Sequence, residues 1–203
     1  MALLDWMSEA NGPLVRGQGL VLRPPRAADH EAWAALRLES RSYLQPWEPT
    51  WPEDDLTRAA FKRRLSIYAR EMEAGNAWPF FVFREPDRAL LGAITLSNVR
   101  RGVAETGTLG YWIGRPFAGR GHATAAVRAM VAYAFEDLRL HRVEAACVPG
   151  NHASRRVLEK AGFELEGRAR AYLKINGAWA DHLLFGCVND GPAETAEPST
   201  GDP

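Results

Sequence analysis

Cysteine is scarce, net charge is absent, and no apolar run is long enough to cross a bilayer. The 203 residues hold only two cysteines, Cys147 and Cys187, far apart and outside any CxxC or zinc-type spacing. That argues against a disulfide scaffold and for reduced thiols in a cytoplasmic protein. Lys plus Arg total 25 and Asp plus Glu total 25, for a formal net charge of zero. A neutral chain makes a poor nucleic-acid coat or membrane-surface module, since both lean on a basic excess. The longest apolar stretch, residues 123–135, is broken by Thr124 and Arg128, so no spanning segment is expected. The first residues lack the basic and apolar regions of an export signal. The five histidines show no metal-ligand spacing, and no metal is expected.

What is present is ordinary for a globular chain: 46% hydrophobic and 25% charged residues, in a length that suits one domain. Residues 1–12 carry no sustained period and read as a flexible N-terminus. Residues 189–203, all polar, small or Pro, read as a disordered tail. Between them, 13–188 read as a single domain. Gly19-Leu-Val-Leu-Arg23 suggests a strand, and 28–44 a helix opened by Asp29. The Pro-rich Gln45-Pro-Trp-Glu-Pro-Thr-Trp-Pro52 suggests a loop, and 53–74 a helix closed by Gly75-Asn76. Strands are expected at 79–83, 90–96 and 108–113, then a helix at 122–137 with one apolar face. A strand at 142–148, a short helix at 153–160 and two strands at 169–175 and 182–188, joined by Asn176-Gly177, complete the order. That mixed order predicts an α/β domain of the α+β type with a largely antiparallel sheet.

The strongest chemical signal lies between the strand at 108–113 and the following helix: Gly114-Arg-Pro-Phe-Ala-Gly119-Arg120-Gly121-His122-Ala123-Thr124. Two glycines one residue apart at a helix mouth let backbone N–H groups converge, and with the helix N-terminus they suit a diphosphate. No Gly-Lys-Ser/Thr is present for a P-loop, and Thr124 breaks the dinucleotide fingerprint. G-x-G-x-A remains, and a tight turn alone would also explain it. The second signal is Asn151-His-Ala-Ser154. Three residues apart at a helix start, Asn151 and Ser154 read either as a cap or as polar groups sent into a cleft.

Strand, G-x-G-x-A, helix, strand, N-x-x-S, helix, Gly-Phe is an order that resembles the GNAT superfamily of acetyl-CoA-dependent N-acetyltransferases. Leu44-Gln-Pro-Trp-Glu-Pro49, Leu96-Ser-Asn-Val99, Leu109-Gly-Tyr-Trp-Ile-Gly114 and Asn176-Gly-x-Trp-x-Asp-His182 are similar to its RimJ branch. The similarity runs from about residue 19 to 188. One departure is Pro116, where the common motif has Gln or Arg three residues before the first Gly. The resemblance implies a mostly antiparallel sheet of six to seven strands with about four helices, its two central parallel strands (108–113 and 142–148) splaying around pantetheine. It further implies that Gly119, Arg120, Gly121, His122, Ala123 and Thr124 hold the pyrophosphate of acetyl-CoA. A backbone N–H near Trp112 or Ile113 would stabilise the oxyanion. The implied partners are acetyl-CoA and the N-terminus of an acceptor protein, such as one of the small ribosomal subunit. Neither membrane nor direct nucleic-acid binding is implied, and a monomer and a homodimer are both compatible.

Attack on a thioester needs a neutral amine. An α-amino group is roughly one-tenth neutral at pH 7, whereas a lysine amine is less than about a thousandth neutral. An N-terminal acceptor therefore asks for only a modest base, and the departing thiolate for a proton or a hydrogen bond. Ser154 is the candidate donor to that thiolate, with Asn151 orienting pantetheine amides or the acceptor backbone. The plain alternative is a serine-capped helix with catalysis by proximity. Tyr172 is a second candidate acid. Glu48, in the loop that borders the acceptor cleft in this family, is favoured over Glu105 as base. Trp47, Trp51, Tyr111 and Trp179 are candidate aromatic walls. Asp181-His182 cannot act as a dyad if strand alternation turns them to opposite faces.

Two other readings compete: a GNAT enzyme acting on a small-molecule amine, and a non-catalytic CoA- or ribosome-binding module using Lys62-Arg63-Arg64 and Arg100-Arg101.

Overall fold

A computed structural model of the chain describes residues 12–189 and Gly191; apart from Gly12, Asn189 and Gly191, the two loose ends read from the sequence lie outside these. The elements run β1 (Val15–Gly17), β2 (Leu20–Arg23), α1 (His30–Glu39), α2 (Arg41–Leu44), α3 (Arg58–Glu73), β3 (Trp78–Arg84) and β4 (Leu90–Arg100). They continue through β5 (Thr106–Ile113), α4 (His122–Glu136), β6 (Arg142–Cys147), α5 (His152–Lys160), β7 (Glu164–Ile175) and β8 (Ala178–Val188). All eight strands join one sheet in the order β1-β2-β3-β4-β5-β6-β8-β7, and only β5 and β6 pair in parallel. The described residues thus carry eight strands and five helices, where six or seven strands and about four helices were expected. The extra strand is the three-residue β1, too short for any alternation to announce it. The extra helix is α2, split from α1 at Ser40, whose φ of −93° and ψ of 3° leave the helical region.

Two apolar layers sandwich the sheet. On one face α4 lays Ala126, Val127, Met130 and Ala134 against Leu22, Phe80, Val82, Ile94, Leu109 and Val143. On the other, Trp33 and Leu36 of α1 and Phe61 of α3 meet Phe81, Phe83 and Leu90. The second layer reaches only as far as β5, whose Trp112 packs at its margin. Among the described residues, the same face of β6 and β8 carries no helix layer, and a half-buried row of Arg142, Glu144 and Ala146 looks outward there. Burying side chains of this size at roughly 1.5–3 kcal/mol each supplies the main drive to fold.

Sequence boundaries shift for local reasons. α3 begins at Arg58, five residues later than the periodicity suggested, because Thr57 caps it by accepting from Ala60 N at 3.2 Å. The Pro-rich segment is not wholly irregular: residues Gln45–Trp47 form one 3-10 turn with Pro46 in its first turn, where a missing N–H costs nothing. β7 and β8 are longer than expected, because β7 carries two register shifts that blur its period. Their turn is Asn176-Gly177, both at positive φ (44° and 86°), the pair that a two-residue hairpin favours.

Asp29 stands at the N-cap position of α1, but its carboxylate serves another purpose. It takes two hydrogen bonds from the Arg23 guanidinium at 2.8 and 2.7 Å and one from Arg26 N at 2.7 Å. Arg23 and Asp29 are 5% and 9% exposed, and Arg23 stacks on Phe83 at 4.2 Å. This bidentate pair fastens the start of α1 to β2. Asp29→Ala leaves the guanidinium buried without that carboxylate, and urea unfolding should show a loss of about 3–5 kcal/mol.

Candidate active site

The parallel pairing of β5 with β6 runs from Thr106↔Arg142 to Leu109↔Ala145 and stops. Both strands continue, but each follows its outer neighbour: β5 pairs with β4 out to Gly92↔Ile113, and β6 with β8 out to Cys147↔Leu183. Residues 110–113 and 146–147 are thereby left with one open backbone edge each. The gap widens into a cleft of about 880 Å³.

Which amides face that gap follows from alternation. Gly114 N donates to Leu91 O at 2.8 Å, so Trp112, two residues back, is turned toward Ala93 of β4, and Tyr111 and Ile113 toward the open edge. Of the two candidate oxyanion donors, Ile113 has its N–H on the cleft side, while that of Trp112 belongs to the β4 ladder. Gly92 permits this close approach, since a β-carbon there would collide with the Trp112 carbonyl oxygen.

At one end of the cleft stands the N-terminus of α4. Gly119 and Gly121 adopt φ of +72° and +83°, with nothing within 4 Å of an added β-carbon. Gly121 is the N-cap, and no side chain caps the helix. The first-turn amides thus keep no side-chain partner, in a left-handed turn suited to an anion. Burial pushes the His122 imidazole below its ordinary pKa, and the Arg84 and Arg120 guanidinium groups add to the effect. The field there is positive. Pro116 sits in the 3-10 turn Arg115–Phe117, whose first amide, Arg115 N, donates to Ser40 Oγ at 2.9 Å. That bond ties the glycine-rich loop to the break between α1 and α2.

At the other end, Asn151 caps α5 by accepting from Ser154 N at 3.0 Å. The cap is not reciprocal. The Ser154 hydroxyl lies 2.9 Å from the Tyr111 phenol, which also reaches Ser154 O at 3.2 Å. Burial raises the Tyr111 pKa well above that of a free phenol, against the opposing effect of the Ser154 hydrogen bond. Cys147, 5% exposed, lines the same wall. Burial raises its thiol too, which favours the protonated form over the thiolate.

The far wall comes from residues 43–49 and 173–175. Glu48 is held there: Arg37 Nη1 donates to one carboxylate oxygen at 2.8 Å and Trp51 Nε1 to the other at 2.7 Å. Arg37 lies between Trp51 (3.8 Å) and Trp112 (5.0 Å). The main chain of Glu48 is latched as well, its carbonyl accepting from Asn176 N at 2.8 Å.

Trp112, Ile113, Gly119, Gly121, His122, Ala123, Thr124, Asn151, Ser154 and Glu48 therefore line one cleft, whereas Arg120 does not. Tyr172 is also outside, 46% exposed and edge-on to His182 at 5.7 Å. Trp179 is 67% exposed and outside too. Glu105 is a turn residue at the opposite end of β5, accepting from Gly102 N. His182 is buried while Asp181 accepts from Arg168 and Ala171 N, so these neighbours do face apart. Arg63, Arg64, Arg100 and Arg101 are each met by a carboxylate, from Asp54, Asp55, Glu144 and Glu105. Sequence reasoning missed the Tyr111–Ser154 contact and Arg37. A lone Arg in a helix gives no signal, and Tyr111 was visible only as an aromatic. Among the described residues, no cluster of three or more His, Cys, Asp or Glu side chains could hold a metal, and no helix is long and apolar enough to cross a membrane.

Comparison with known proteins agrees with this geometry. The family model described as Acetyltransferase (GNAT) domain matches residues 19–164. The chain is 36% identical over 176 residues to the protein named Probable N-acetyltransferase YjcK of Bacillus subtilis, covering 87% of this chain and 97% of that one. It is 35% identical over 158 residues to the ribosomal protein uS5-alanine N-acetyltransferase of Escherichia coli, covering 77% and 81%. Among solved structures, a Mycobacterium smegmatis RimJ in complex with CoA-disulfide superposes with a TM-score of 0.81 at 33% identity, over 88% of this chain and 87% of that one. With the family model matched over most of its length and its central strands parted beside a bare helix N-terminus, the chain belongs to the GNAT acetyltransferase family.

Proposed function

We propose that this acetyltransferase moves an acetyl group from acetyl-CoA to the N-terminal α-amine of a protein, in the cytoplasm, with small-subunit ribosomal proteins as the acceptor class. The observation that carries the reading is the arrangement of the cleft. A bare helix N-terminus lies at one end, an open strand edge in the middle, and an anchored carboxylate on the opposite wall. The uS5-alanine N-acetyltransferase, similar over 77% of this chain, supports the choice of acceptor.

The residues fit the donor substrate. The uncapped first turn of α4, with glycines at 119 and 121, suits the diphosphate of acetyl-CoA. The open edges of β5 and β6 offer backbone partners for its pantetheine amides. The Ile113 N–H is turned toward the thioester oxygen, whose negative charge grows during attack. Either hydroxyl can donate in the Tyr111–Ser154 contact; with the phenol as donor, the serine hydrogen turns to the departing sulfur. Glu48 lacks a free oxygen of its own to act as an unencumbered base, so its part is electrostatic: it attracts the acceptor ammonium. The amine attacks as its neutral fraction: the N–C bond forms, the C–S bond breaks, and the proton lost from nitrogen passes through water to the departing CoA thiolate. Transfer is direct, consistent with a protonated Cys147.

Incubating the chain with acetyl-CoA and peptides bearing free or blocked N-termini tests this. Free CoA and an N-acetylated product should appear only with the free amine; turnover of small polyamines or amino acids alone would defeat the reading. Ser154→Ala and Tyr111→Phe should each lower kcat about 10- to 100-fold with less effect on KM. If both leave kcat intact, these roles are wrong. Because the His122 pKa is depressed in the free chain, a bound diphosphate should raise it. Proton uptake should therefore accompany acetyl-CoA binding, and affinity should strengthen as pH falls through the raised pKa of the bound state toward the depressed pKa of the free chain. Calorimetry in buffers of different ionisation enthalpy reads that uptake, which His122→Gln should abolish.

A further inference from the structure

A second hollow, of about 510 Å³, lies between the C-terminal half of α3 and strands β3 and β4. None of the chemistry above uses it. Ile67 stands at its rim with 48% of its surface in water, and Tyr68, Thr95, Ser97 and Val99 line it. Glu71 and Arg100 stand at its border with opposite charges, so net charge does not define what it takes.

The hollow and the acyl-transfer cleft meet at one cross-strand pair. Thr95 of β4 lies directly opposite Gly110 of β5. Thr95 lines the hollow and Gly110 lines the cleft. Opposed residues of antiparallel strands point to the same face about 5 Å apart. On that face of β5, Thr108 and Trp112 flank Gly110, and only the glycine lacks a side chain. Gly110 is exposed, with nothing within 4 Å of an added β-carbon. The floor is therefore bare at this crossing, and no residue-110 side chain stands between the two spaces.

We infer that the two spaces act as one trough, which holds the polypeptide segment that follows the acetylated amine, with an apolar side chain of the acceptor seated against Ile67, Tyr68 and Val99. The inference rests on the reading of a protein N-terminus as acceptor. The cross-strand adjacency of Thr95 and Gly110 favours this occupant, and so does reach. From Ile113 back to Gly110 is about 10 Å along the strand, and one strand spacing of about 5 Å more leads to Thr95. An extended acceptor of four to five residues covers about 15 Å; a small amine does not. The apolar contact falls at about the fourth or fifth acceptor residue.

The test is a length series: a dipeptide, a tetrapeptide and a hexapeptide amide that share their first two residues, the longest carrying Leu or Ser at positions four and five. The hexapeptide with Leu should exceed the dipeptide in kcat/KM by about tenfold, mostly through KM. Thr95→Phe, which fills the trough, should bring that ratio close to one. Ile67→Asp, at a position exposed enough to spare folding, should remove the advantage of Leu over Ser. A ratio that stays near one in the unaltered chain overturns the inference, as does a length gain that survives both substitutions. If no peptide is acetylated while small amines are, the acceptor reading itself falls and takes this inference with it; acetylation of all peptides at equal efficiency defeats the trough alone.

Discussion

Everything in the site depends on an interruption: after Leu109 and Ala145, two parallel strands stop pairing with each other while each stays paired on its other side. Backbone N–H and C=O groups inside a protein are almost always matched, and a strand edge bared in the middle of a sheet is a demand for a partner. The outer ladders hold β5 and β6 apart, so the gap cannot close by simple slippage. A register slip would also turn Leu109 and Val143 out of the α4 core. The core thus enforces the opening, and the opening supplies oriented polar groups to a ligand without any side chain being spent on them.

Around that opening, the two ends of the cleft are built on different principles. The α4 end is made of backbone: two glycines in left-handed conformation and an uncapped helix turn. The α5 and loop ends are made of side chains in mutual contact, Tyr111 with Ser154 and Arg37 with Glu48 and two indoles. An Arg–carboxylate pair this enclosed carries a desolvation cost that its Coulomb attraction offsets only with good geometry. Stacking between Trp51 and Trp112 provides part of that geometry. The outcome is a carboxylate held at a defined point.

Much of this was legible in the amino acids. The α4 helix starts at His122, as its one-sided apolar pattern after Gly121 implied, and β6 and α5 fall within a residue of their expected bounds. These segments obey one period and end at strong punctuation. Legibility failed where period and punctuation disagreed. β7 hides its alternation behind register shifts near Gly167 and Ala171. The helix expected over 28–44 breaks at Ser40, whose hydroxyl is claimed by Arg115 N from 75 positions away. The site divides the same way. The glycine-rich loop could be read because its chemistry is local. Arg37, the Tyr111–Ser154 contact and the pairing of Gly110 with Thr95 could not, since their meaning lies in contacts between distant segments.

The bond from Asn176 N to Glu48 O gives the hairpin between β7 and β8 an unusual freedom. It is made by main chain on both sides, so what it requires of residues 176 and 177 is torsional: two consecutive positive φ values. Side chains around the tip, such as Lys174 and Trp179, carry no part of that duty. Substitution of those side chains therefore leaves the latch between the hairpin and the Glu48 wall in place.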